Sequence, residues 1–91
     1  MKTKQEIESG NFEVRHENAG TSRHNAAAAD AVANAVRPED VRWQNDGDED
    51  GGFWGVVISD RLLNDAAERL GDDWDADSVR ACIATAAFIV F

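Results

Sequence analysis

Asp46, Asp48 and Asp50, spaced by two and closed by Gly51, repeat the first half of a calcium-binding loop, where oxygen ligands at positions 1, 3 and 5 precede a glycine at position 6. The same chemistry needs a bidentate glutamate at position 12. Counting from Asp46, that position is Val57, whose side chain has no ligand atom. The flanks "VRWQN" and "FWGVVIS" look like strands, whereas the motif requires helices. The stretch "NDGDEDGG" therefore reads as an acidic hairpin loop turned by Gly51 and Gly52. A looser site built from the three aspartates and backbone carbonyls is the rival reading; no metal and no cofactor are expected.

Other reactive residues assemble less well. His16, His24 and Cys82 are not in ligand spacing, and a fourth zinc ligand is missing. Nothing in the sequence places one of the many carboxylates in the apolar pocket that would raise its pKa for acid catalysis. A glycine-rich phosphate loop, a serine elbow and a nucleotide fingerprint are all lacking. No catalytic residue is nominated, and the chain is expected not to be an enzyme. Cys82 is the single cysteine, so no intrachain disulfide can form and a buried, inert thiol is expected. Together with an N-terminus that lacks an apolar run, this points to a cytoplasmic protein. The longest apolar stretch, "ACIATAAFIVF" at 81–91, is eleven residues, short of the roughly 20 that cross a bilayer.

The elements that must carry these residues follow from patterning over 91 residues, enough for one domain spanning 1–91. Thr3 and Glu6 have capping-box spacing for a short helix over 4–9 that Gly10 stops. Phe12, Val14 and His16 alternate with charged residues, predicting a strand over 12–17. Ser22 caps an alanine-rich helix from 23 to about Val36, where Pro38 prevents continuation. Strands are predicted over 41–45 and, apolar on both faces, over 53–59. Asp60 is read as the cap of a helix over 61–70 ended by Gly71, and Asp75 as the cap of a helix from 76. Residues 87–91 fit either a buried helix end or a closing strand.

The fold class is therefore α+β, a small antiparallel sheet of about three strands packed with three or four helices. The expected core is Phe12, Val14, Val32, Val36, Val56, Ile58, Leu62, Leu63, Leu70, Val79, Cys82 and Ile83. In "FW" at 53–54, adjacent strand residues face opposite ways, so both are buried only if both sheet faces are covered. Otherwise one of them marks an interface.

Charge is the strongest compositional signal. The chain carries 18 acids against 9 bases, net −9. Residues 39–77 hold 13 acids and 3 bases, net −10, which leaves 5 acids and 6 bases, net +1, elsewhere. Such a field repels nucleic acid and phospholipid surfaces and draws in basic proteins. The expected partner is thus a basic, nucleic-acid-binding protein, with no direct nucleic-acid or membrane contact. The candidate partner-binding residues form two groups: Asp46, Asp48, Glu49 and Asp50 in the hairpin loop, and Asp72, Asp73 and Asp77 with Trp74 before the last helix. Trp74 has two readings. It precedes the cap Asp75 and stands five before Val79, the spacing of a hydrophobic staple; alternatively, ringed by acids, it is an exposed aromatic anchor. Acids at alternate extended positions lie roughly 6.6 Å apart, a sparse version of the phosphate row that each duplex strand presents about every 3.4 Å.

In size, charge and lack of catalytic motif, with "NDGDEDGG" and "GDDWDAD" as the surface involved, the chain resembles in kind the small acidic inhibitors that phages make against host defence. These include several anti-CRISPR proteins that look to their targets like nucleic acid. That resemblance implies an inhibitor working in the host cytoplasm by covering a basic surface; with no shared motif, no residue role is carried over. Two alternatives stay open. An antitoxin-like or regulatory partner of a basic protein predicts the same charge. A halophile proteome accounts for two lysines against seven arginines, although the near-neutral remainder of the chain opposes it.

Overall fold

Short-range chemistry sets most element boundaries in the computed structural model, which describes residues 2–18, 22–45, 47 and 51–91. Thr3 opens helix α1 (Lys4–Glu8) with both halves of a capping box. Its hydroxyl accepts from the Glu6 N–H at 3.2 Å, and the Glu6 carboxylate accepts from the Thr3 N–H at 3.3 Å. Ser22 caps α2 (Arg23–Ala35) by accepting from the His24 N–H at 3.2 Å. That helix stops where Pro38 holds Arg37 extended, at φ −111° and ψ 163°.

Helix α3 (Asp60–Leu70) begins one residue earlier than the sequence suggests. Ser59, not Asp60, is its cap, accepting from the Leu62 N–H at 3.2 Å. The Asp60 carboxylate is engaged instead by Arg80 of α4 (Ala76–Cys82) at 2.8 Å. Gly71 closes α3 at φ +116°, a conformation other residues rarely adopt.

The strands depart from a single three-stranded sheet. β1 (Val14–Glu17) pairs antiparallel with β4 (Ala87–Val90), with Val14 opposite Val90 and Glu17 opposite Ala87. The ambiguous C-terminal segment is therefore a strand. β2 (Val41–Gln44) and β3 (Phe53–Val56) form a separate hairpin with Val41 opposite Val56 and Gln44 opposite Phe53. β3 is shorter than the predicted 53–59 because Ser59 turns the chain into α3. The Val57 N–H still donates to the Asp40 carbonyl at 2.8 Å, in register with the hairpin. Adjacent residues of β3 face opposite ways, and Phe53 remains 57% exposed on one face while Trp54 is half-buried on the other.

The core lies between the helices. Val32, Leu62, Leu63 and Val79 are fully buried, with Ala28, Ala29, Ala31 and Ala35 of α2 and Ala66 and Ala67 of α3 among them. Small side chains on both helices let their backbones come close, while each buried leucine contributes about 1.5–3 kcal/mol. Ile83 joins this cluster, and Val36, Val56, Ile58, Leu70 and Cys82 pack on it half-buried. Phe12 and Val14, expected in the core, are half-buried outside it: β1 begins only at Val14, leaving Phe12 ahead of it, and pairs with β4. Ile7 and Val41 are buried instead, at 2% and 3% exposure.

One charged residue is buried with them. Asp40, at the end of the 3₁₀ turn Pro38–Asp40, is 5% exposed. One guanidinium nitrogen of Arg61 reaches both of its carboxylate oxygens, and the Arg37 N–H donates to Oδ2 at 2.8 Å. Arg61 also pairs with Asp65, which takes the Arg37 guanidinium at 3.0 Å. The Asp40 hydrogen bond above all raises the Arg61 pKa beyond its already high ordinary value. Removing Asp40 takes away the acceptor of the Arg37 N–H and one of the two carboxylates that hold Arg61, which keeps Asp65. Asp40→Ala is therefore expected to lower unfolding free energy by about 2 kcal/mol, whereas Arg80→Ala, which breaks the exposed pair with Asp60, costs under about 1 kcal/mol. Urea denaturation of the two variants measures both; equal losses would remove Asp40 from its structural role.

Candidate functional site

The arginines and lysines neutralise the surface unevenly. Lys2 meets Glu6, Lys4 meets Glu8, Arg15 meets Glu13, and Arg37, Arg61 and Arg80 meet Glu39, Asp40, Asp60 and Asp65. These pairings cover Glu6 and Glu8 of α1, Glu13 ahead of β1, Glu39 and Asp40 of the 3₁₀ turn and Asp60 and Asp65 of α3, and leave Glu17 and Glu68 without a described cation within 4.0 Å. Around the α3–α4 turn the pattern ends. Asp72 and Asp73 are exposed in the turn, Asp77 is exposed in the first turn of α4, and among the described residues none of the three has a cation within 4.0 Å. Asp75 lies among them but is engaged by the fold: its carboxylate accepts from the Ser78 N–H at 2.8 Å.

Trp74 is partly withdrawn from this surface. Its ring stacks on His24, centroids 4.3 Å apart and planes 26° off parallel, and it packs half-buried against the cluster that contains Val79. The staple geometry and the acidic surroundings thus coexist, with the remaining exposed part of the ring lying beside Asp72 and Asp75. The other predicted group, Asp46, Asp48, Glu49 and Asp50, lies outside the described residues. The structure does place its two ends, since Gln44 and Phe53 are the last paired residues of the hairpin.

No family model, curated protein or solved structure matches the chain.

The hairpin carries functional candidates that charge-based reasoning passed over. Trp43 is 38% exposed and meets Trp54 edge-on, centroids 5.1 Å apart and planes 72° inclined. Its six-membered ring lies so close to Gly52 that a Cβ there would sit 2.4 Å from a ring carbon. Trp54 is held in turn by its indole N–H, which donates to the Lys2 carbonyl at 2.8 Å. On the far side of Trp54 a second apolar groove runs past Phe53, Phe88 and Phe91. The signal for these residues was the exposure alternative raised by "FW"; which ring faces water depended on which face of the hairpin is covered.

Among the described residues, no three His, Cys, Asp or Glu side chains are grouped to hold a metal ion, and no helix is long and apolar enough to cross a membrane. The Ser78 N–H, followed by its hydroxyl, holds the Asp75 carboxyl below the usual carboxylate range. A carboxyl with a lower pKa in the folded state stabilises fully above its unfolded pKa, and that contribution is lost as pH falls through the folded value. Wild type is therefore expected to exceed Asp75→Ala in stability at pH 6, with the gap closing as pH drops below about 4. Urea unfolding of both proteins from pH 6 to pH 2 checks this, and a gap independent of pH would show that the carboxylate is not the cap.

Proposed function

We propose that this chain is a non-enzymatic inhibitor that binds a larger host protein and covers a basic, nucleic-acid-binding surface on it, in the manner of the anti-CRISPR-like proteins it resembles in kind. The observation that carries this reading is the uneven neutralisation of the surface. Described acids away from the α3–α4 turn are largely ion-paired, while Asp72, Asp73 and Asp77 meet solvent with no counter-ion nearby. A group of exposed like charges raises the local potential and is inefficient for stability, because carboxylates repel one another; a basic partner relieves that repulsion. The exposed rings of Phe53 and Trp43 support the same reading, as aromatic side chains at an interface supply affinity where exposed charges mainly supply rate.

Reversing Asp72 and Asp73 together to arginine is expected to slow association with the partner about tenfold at low salt, with dissociation and melting temperature nearly unchanged. Surface-immobilised kinetics at two ionic strengths measure this, followed by competition with duplex DNA. Mutual exclusion with DNA supports the inhibitor. A ternary complex would instead favour the antitoxin-like or regulatory alternative, and a fold that requires molar salt would favour halophilic adaptation.

A further inference from the structure

A groove lies between α1, the 3₁₀ turn and the β2–β3 hairpin. Its floor is apolar, made by Ile7, Pro38 and Val41, and two of its walls are Trp43 and Trp54. The two indoles, 72° apart in plane, form a corner rather than a stack. Glu8 and Glu39 also line it, as do Lys4 and Arg42. Both carboxylates are weakly engaged: Glu8 lies 3.8 Å from Lys4 and Glu39 4.0 Å from Arg37, all four side chains being more than half exposed. Pairs of that length and exposure contribute little and exchange partners freely. Arg42 also reaches the groove, yet among the described residues the only cation over an aromatic ring is Arg15, 5.0 Å from the Phe91 centroid. Neither tryptophan of the corner is covered in this way.

Resting on the reading of a basic partner, the geometry points to the Trp43–Trp54 corner as the seat of a cationic side chain of that partner, an arginine or lysine whose charge meets the indole rings while Glu8 and Glu39 take its hydrogen bonds. An aromatic corner with carboxylates in the same groove recognises a cation through the ring quadrupole and charge together. The same corner without acids would suit any apolar group. Gly52 serves this seat because only a residue without a side chain lets the Trp43 ring lie against the hairpin. The groove encloses ≈ 780 Å³, room for the flanking backbone of a peptide segment as well as for one side chain.

The test uses a probe of single charge, so that the acidic turn contributes little. The ¹⁵N-labelled full chain is titrated with N-acetyl-arginine methylamide, and in parallel with the citrulline analogue, a neutral compound of the same shape, while the three indole N–H resonances are followed. Saturable shifts of Trp43 and Trp54 are expected, with Trp74 unmoved and the citrulline compound about tenfold weaker. Trp43→Leu, which keeps an apolar cover over Gly52, should weaken arginine binding by a similar factor. If that variant fails to fold, Glu39→Gln should still weaken it in a chain whose hairpin is intact. Equal shifts with citrulline would show a merely apolar groove and overturn the proposal. So would the absence of shifts at Trp43 and Trp54, or shifts at all three indoles. These outcomes are separable from failure of the inhibitor reading: if reversal of Asp72 and Asp73 leaves association unchanged while arginine still seats in the corner, it is the acidic turn that has lost its role.

Discussion

Burial of the Asp40 carboxylate is the constraint around which the hairpin and the helices are arranged. A charge taken from water must find compensation nearby, and Asp40 finds it in three directions: the guanidinium of Arg61 on α3, the Arg37 backbone N–H and the ion pairs that link Arg61 and Arg37 through Asp65. Its own carbonyl receives the Val57 N–H, in register with the β2–β3 hairpin. The 3₁₀ turn is thereby tied both to α3 and to the exit of β3. The groove that displays Trp43 and Trp54 inherits its shape from that tie, since Pro38, Glu39 and Val41 all adjoin Asp40 in the chain.

The same network bears on the surface. Arginine suits such a buried pair because its planar fork can satisfy several carboxylate oxygens at once. Using Arg61 and Arg37 in this way commits two of the nine bases to acids of the 3₁₀ turn and α3. None of the described bases lies within 4.0 Å of Asp72, Asp73 or Asp77.

Features decided within a few residues were legible in the sequence. The Thr3–Glu6 capping box, the Ser22 and Asp75 caps and the Gly71 stop each depend on groups three residues apart or fewer. What stayed hidden was decided by distant partners. Ser59 rather than Asp60 caps α3, and the Asp60 carboxylate meets Arg80, twenty residues away. The division of the strands into two pairs, and the burial of Asp40 within a sequence "PED" that looks like a solvated turn, depend on contacts that periodicity does not encode. The candidate surface was legible as charge, since composition shows an acidic middle, but not as shape. That Trp74 stacks on His24 while Trp43 stays open follows from which helices and strands meet.

The pairing of Val14 with Val90 spans 76 positions of the chain. On a ribosome adding about 5–20 residues each second, β1 emerges at least several seconds before the strand that completes it. During that interval the nascent chain can assemble α2 and α3 around their alanines and leucines, while the β1 edge offers unbonded N–H and C=O groups to any other strand within reach. Glu13, Arg15 and Glu17, charged and exposed along that segment, make it a poor template for pairing with another chain. The charges that line β1 thus guard the protein while it is being made, before the fold they belong to exists.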